Sequence, residues 1–229
     1  PLIKHLRQPK IYVKLPSEGQ YWPQNALQKT ETGEYPVYAM TAKDEITFKT
    51  PDALLNGQAT VDVIQSCMPN IKDAWHTPSI DLDAILVAIR MASFGEKIDM
   101  SSTVPGTNLT KDFQLDLQTI YDNLTNTEYT DTFQIDGFRV QIKPASYRMV
   151  TQQAIKAFEE QRIFTTVNDD SIDETVKLER FQKSFAKLTD ININAVVANV
   201  VAIQPDGAEE AVTNPKYLKE FLEGAEAKT

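Results

Sequence analysis

The sequence predicts an α+β fold, and three observations carry that expectation. Short stretches of alternating polar and apolar residues fill the first two-thirds of the chain. A well-capped helical pattern, Asp81 to Gly95, sits in their midst, and from Ala145 onward the apolar period becomes helical. Three regions follow: an extended N-terminal arm (1–40), a mixed strand and helix region with two β-hairpins (41–144), and a helical region (145–229).

In the arm, Lys10 to Leu15 places Ile11, Val13 and Leu15 on one side of a short strand, and Pro16-Ser17-Glu18-Gly19 turns the chain. Tyr21-Trp22-Pro23 sets two aromatics beside a proline. Two readings stand side by side: a strand and loop folded onto the body with Tyr21 and Trp22 as packing anchors, or an arm lying on a neighbouring subunit. Tyr35 to Met40 and Glu45 to Lys49 are further strand candidates, the second because Glu45-Ile46-Thr47-Phe48 alternates.

Thr50-Pro51-Asp52 reads as a helix start, with Gly57 as its stop. Val61, Ile64 and Met68 mark a second helix that Pro69 ends. Ser79 or Asp81 caps the strongest helix, whose stripe is Leu82, Ile85, Leu86 and Ile89 and whose end is Gly95. Asp81, Asp83 and Arg90 fall outside the stripe and are expected to be caps or solvated charges; His76 is expected to be a loop residue.

Ile98 to Val104 and Phe113 to Leu117 form a hairpin around Pro105-Gly106-Thr107-Asn108. Thr125 to Asp131 is a polar connector to a second hairpin, Phe133–Ile135 and Phe138–Ile142, turned by Asp136-Gly137. Met149, Ile155 and Phe158 mark the next helix. A capping box, Ser171 to Glu174, opens another with Leu178, Phe181, Phe185 and Leu188. Asp190-Ile191-Asn192 resembles a new start for a stripe of Ile193, Val196, Val197, Val200 and Val201, closed by Pro205-Asp206-Gly207. Asn214-Pro215 begins a last helix with Leu218, Phe221 and Leu222, ended by Gly224, before a polar tail that frays.

Composition narrows function. With 41% apolar and 24% charged residues the chain is of ordinary soluble globular type. A net charge of −9 supplies no general attraction to nucleic acid or anionic membrane, so neither is an expected partner. No apolar run approaches a membrane span, and Leu2 to Leu6 is too short and interrupted for a signal peptide. The single Cys67 forms no intramolecular disulfide, and one Cys with two His makes no all-Cys/His zinc site. A carboxylate-built site stays open, although no loop has calcium-binding spacing. Neither His5 nor His76 sits in a nucleophile or base motif, and the glycines never cluster into a phosphate loop. No catalytic, cofactor-binding or metal-binding residue is assigned: no enzyme is expected, and contact with other proteins is.

The ordered motifs resemble those of a known family. Leu15-Pro16-Ser17-Glu18-Gly19-Gln20-Tyr21-Trp22 is similar to the opening of the T4-type bacteriophage baseplate hub subunit or hub assembly proteins. The likeness continues through Glu45 to Gly57, Val61 to Ile64, Asp81 to Gly95 and Gly137 to Tyr147, covering nearly the whole chain. Some members carry Cys-x-x-Cys-like pairs in the hairpin after the helix. Here its tip, Val104 to Asn108, has no cysteine, so packing of Val104, Phe113 and Leu115 is expected in place of metal.

The resemblance implies a virion-assembly role in the infected host's cytoplasm and in the virion tail baseplate. It implies other tail or baseplate proteins as partners within a multi-subunit assembly, and no cofactor. Leu15, Pro16, Tyr21 and Trp22 are the expected partner-binding residues. A transient assembly chaperone absent from the mature virion and a tail-associated hydrolase are the alternatives.

Overall fold

The computed structural model describes residues 7–51, 56–107, 109–166 and 173–224. The chain forms two units, Pro1–Tyr129 and Thr130–Thr229. The second begins upstream of the expected boundary at 144 because the second hairpin pairs with a strand near the C-terminus.

In the first unit, β1 (Pro9–Val13) and β2 (Tyr35–Tyr38) form an antiparallel pair. Helix α1 (Ala42–Phe48) packs with α2 (Gln58–Cys67). A short 3-10 turn, Ala74–His76, leads to α3 (Ser79–Phe94). Helix α3 lies against both strands, and Val37, Val61, Ile64, Met68, Ile85 and Ile89 are buried between these elements. Gly95, at φ 88, ends α3 as expected. The hairpin β3 (Lys97–Thr103) and β4 (Thr110–Asp116) then leads into α4 (Leu117–Asn126), which packs on α3.

Several expectations change here. Glu45–Lys49 is not a strand: Thr41 and Asp44 form a reciprocal capping box that starts α1 and outweighs the alternation of Ile46 and Phe48, both left exposed. Leu117 begins a helix and does not end a strand. The Asp116 carboxylate accepts from the amides of Gln118 and Thr119, at 2.9 and 3.4 Å, and Leu117 and Tyr121 bury one turn apart. In the β3–β4 hairpin Val104 and Leu115 are half-buried, but Phe113, expected to pack with them, is exposed. The ladder pairs Met100 with Phe113, both exposed, and the opposite face is joined by Ser101–Asp112 and Gln114–Asp99 bonds of 2.5 and 2.9 Å. The helix expected from Thr50-Pro51-Asp52 and the Ser171–Glu174 box run into residues outside those described, as does the polar tail.

In the second unit, β5 (Thr132–Ile135) and β6 (Phe138–Ile142) meet at Asp136-Gly137, with φ 43 and 84, the left-handed pair such a turn requires. Helices α5 (Tyr147–Thr166) and α6 (Glu174–Asn199) follow, then β7 (Val200–Pro205) and α7 (Pro215–Gly224). The sheet order is β5-β6-β7, all antiparallel. Val197, Ile203 and Leu218 form its core, with Phe138 packed edge-on to Phe221 at 4.9 Å.

Helix α6 runs through Asp190-Ile191-Asn192 without a new start. The Asp190 side chain is used by the Lys219 ammonium at 2.6 Å and the Asn194 amide at 3.0 Å, not by a cap. Val200 and Val201 leave the helix for β7, where β-branched side chains suit the ladder with β6.

Candidate interaction sites

The Leu15–Trp22 loop is fastened to α3 by one buried carboxylate. Asp81 Oδ1 accepts from the Ser17 amide at 2.8 Å, while Oδ2 accepts from the Ser17 hydroxyl at 2.5 Å and the Trp22 indole N–H at 2.6 Å. Asp81 is fully buried and not a solvated charge. Burial pushes its carboxyl above the ordinary 3.8, although the Ser17 and Trp22 donors pull it down. Asp83, two residues on, is exposed as expected.

The loop's turn places Glu18 at φ 51 and Gly19 at φ 75. A Cβ on Gly19 would lie 3.2 Å from Leu27 Cδ2 and 3.3 Å from Lys29 Cε, so both space and backbone favour glycine.

Of the four expected partner residues, Leu15 and Trp22 face the unit's own core, at 3% and 7% exposure. Pro16 and Tyr21 are half-buried; Tyr21 meets Tyr129 edge-on at 5.5 Å. Pro16, Ile80, Leu124 and Tyr129 line a shallow cleft of about 230 Å³ there. The loop is thus folded onto its own unit, and only its Pro16–Tyr21 side reaches the surface. Two more clefts, of about 270 and 230 Å³, flank Tyr121 along β1.

A second polar cluster ties β2, α1 and α2 together. Arg7 donates to the Ala39 carbonyl at 2.9 Å and the Ser66 hydroxyl at 3.2 Å, with Asp44 at 3.5 Å. The Ser66 hydroxyl donates to Asp44 at 3.0 Å. Cys67 is buried beside them, its thiol pushed up to about 11 by burial and then by the Asp44 charge. His76 Nδ1 meets Asp73 at 2.8 Å within one turn. Among the described residues no group of His, Cys, Asp and Glu could hold a metal ion.

The second unit also exposes large apolar side chains. Around Glu160 the contact between α5 and α6 is polar: Ser184 is buried, and its hydroxyl contacts the Glu160 carbonyl at 3.1 Å and carboxylate at 3.0 Å. Lys187 adds an ion pair to Glu160 at 3.1 Å. Leu178 and Phe185, expected in a core stripe, are 58% and 61% exposed, and Phe158 of α5 is 57% exposed. Exposed apolar side chains of this size mark surfaces that other molecules can cover.

A family described as T4 bacteriophage base plate protein matches residues 8–210. No curated protein and no solved structure matches the chain.

Proposed function

The chain belongs to the T4 bacteriophage base plate protein family, and from that premise we propose that it serves as a baseplate hub component or hub assembly factor. It works through protein contacts in contractile-tail morphogenesis and not through catalysis. It meets its partners in the host cytoplasm during assembly, and retention in the virion tail distinguishes the hub component from the assembly factor.

The observation that carries this reading is the exposure of Phe158 on α5 and of Leu178 and Phe185, seven residues apart on α6. Each side chain is already part-buried, so its covering by a partner gains less than the roughly 1.5–3 kcal/mol of a fully exposed one. Three titratable groups have structural partners: Asp81 fastens a loop, Asp44 joins a cap to Arg7, and His76 pairs within its own turn.

The test is incorporation. The double variant Leu178→Asp with Phe185→Asp is expected to fold and to be lost from purified baseplates and hub intermediates. Incorporation at the wild-type level contradicts the role of those side chains. A chain present in hub intermediates and absent from virions identifies a chaperone, and lysis of a peptidoglycan zymogram identifies a hydrolase.

A further inference from the structure

We propose that the outer edge of β1 takes an extended, basic segment of another baseplate protein as an added β-strand, over an acidic trough beside α4. The proposal deepens the assembly role above, and rests on it, by naming the chemistry of one partner.

The edge is open by construction. β1 pairs Ile11 with Val37, Tyr12 with Pro36 and Val13 with Tyr35, and among the described residues it has no other strand partner. Pro36 has no N–H, so the hydrogen-bonded pairs are those of Ile11 and Val13. The amide and carbonyl of Tyr12 therefore point away from β2.

Lys14, two residues on, shares that outward direction, and its backbone shows what the edge accepts. The Lys14 amide donates to the Tyr121 hydroxyl at 2.9 Å, and that hydroxyl donates to the Lys14 carbonyl at 2.7 Å. One phenol thus supplies the donor and acceptor of a neighbouring strand at Lys14, and the equivalent position at Tyr12 is left for a second chain. The Tyr12 side chain is 64% exposed beside it.

Charge selects the occupant. Glu18 and Glu34 line the cleft on one side of Tyr121, and Glu96 lines the cleft on the other. Burial pushes the Tyr121 phenol above its ordinary value, and the carboxylates of Asp122 and Glu34 push the same way. Among the described residues Lys14 is the one cation lining either cleft. An incoming strand places alternate side chains on one face roughly 7 Å apart, so lysine or arginine at alternate positions can meet these carboxylates in turn.

The test titrates the 15N-labelled full chain with the synthetic peptide acetyl-VKVKVKV-amide, using acetyl-VEVEVEV-amide as the control. The basic peptide is expected to slow exchange of the Tyr12 amide roughly tenfold and to perturb β1 and α4, while the acidic one does neither. Tyr12→Pro, tolerated where the N–H faces outward, is expected to weaken the complex roughly tenfold at an unchanged melting temperature. If that variant unfolds, the pair Glu18→Gln and Glu34→Gln leaves the backbone intact and is expected to weaken binding and flatten its salt dependence.

Shifts scattered over the surface without protection of Tyr12 overturn the proposal. So does a Tyr12 amide already protected in the free chain, which would mean that the edge is covered. A chain found in baseplates whose Tyr12 gains no protection refutes this surface alone. A chain absent from baseplates and hub intermediates refutes the assembly role instead.

Discussion

The Trp22 indole N–H donates to the Asp81 carboxylate at 2.6 Å, with both side chains buried. This bond, with the two from Ser17, turns a segment that reads as a loose arm into part of the first unit's core. The buried carboxylate is tolerated because its oxygens face donors that would themselves be costly to bury unpaired.

Replacing Asp81 with Ala strands the Ser17 amide, the Ser17 hydroxyl and the Trp22 indole in the interior. The expected cost is about 3 kcal/mol in urea unfolding, with a matching loss of Trp22 emission from a dry environment. Asn at this position keeps the shape and part of the acceptor capacity and is expected to cost less.

The same carboxyl gives stability a pH dependence of known sign. Its pKa in the folded chain lies above the ordinary 3.8. The folded state therefore holds the proton to a higher pH than the unfolded one does. The contribution is present in full below 3.8 and declines as pH rises toward the folded pKa. The difference in stability between wild type and Asp81→Asn should shrink with rising pH across that window. A difference that grows with pH contradicts the assignment.

Deleting residues 1–23 is expected to abolish cooperative unfolding of the first unit, because Val13, Leu15 and Trp22 are core residues and Asp81 loses its donors. A truncated chain with an unchanged thermal transition for this unit contradicts the burial of the loop.

Cys67 should resist alkylation at pH 8 in the native chain, since its thiol is buried and pushed up to about 11. Labelling is expected to appear with unfolding in urea; rapid native labelling contradicts the packing between α1, α2 and Arg7.

Much of this architecture is legible in the sequence where local chemistry decides it. Gly95 ends α3, Asp136-Gly137 turns the second hairpin, and Asn214-Pro215 opens α7. The misread segments are those where one local pattern competes with another. The alternation of Ile46 and Phe48 conceals the Thr41–Asp44 box. Asp190 has the look of a cap but spends its carboxylate on Lys219, and Val200 enters a strand that only β6, far upstream, can specify.

Leu178 and Phe185 sit at spacing that suits a core, and nothing in that spacing reveals that α5 offers α6 a polar seam around Glu160 and Ser184. The motif from Leu15 to Trp22 was visible, but its partner Asp81 lies far along the chain, so the inward turn of Leu15 and Trp22 was not. Pairing of Tyr121 with Lys14 was hidden for the same reason, since α4 reads as a strand end and a connector.

Whether the chain works by contact within the baseplate assembly is decided by quantitative mass spectrometry of purified virions and hub intermediates. The chain is expected at fixed stoichiometry with hub proteins, and is expected to be lost when Leu178 and Phe185 are both replaced by Asp. Absence of the wild-type chain from both preparations would contradict this assembly role.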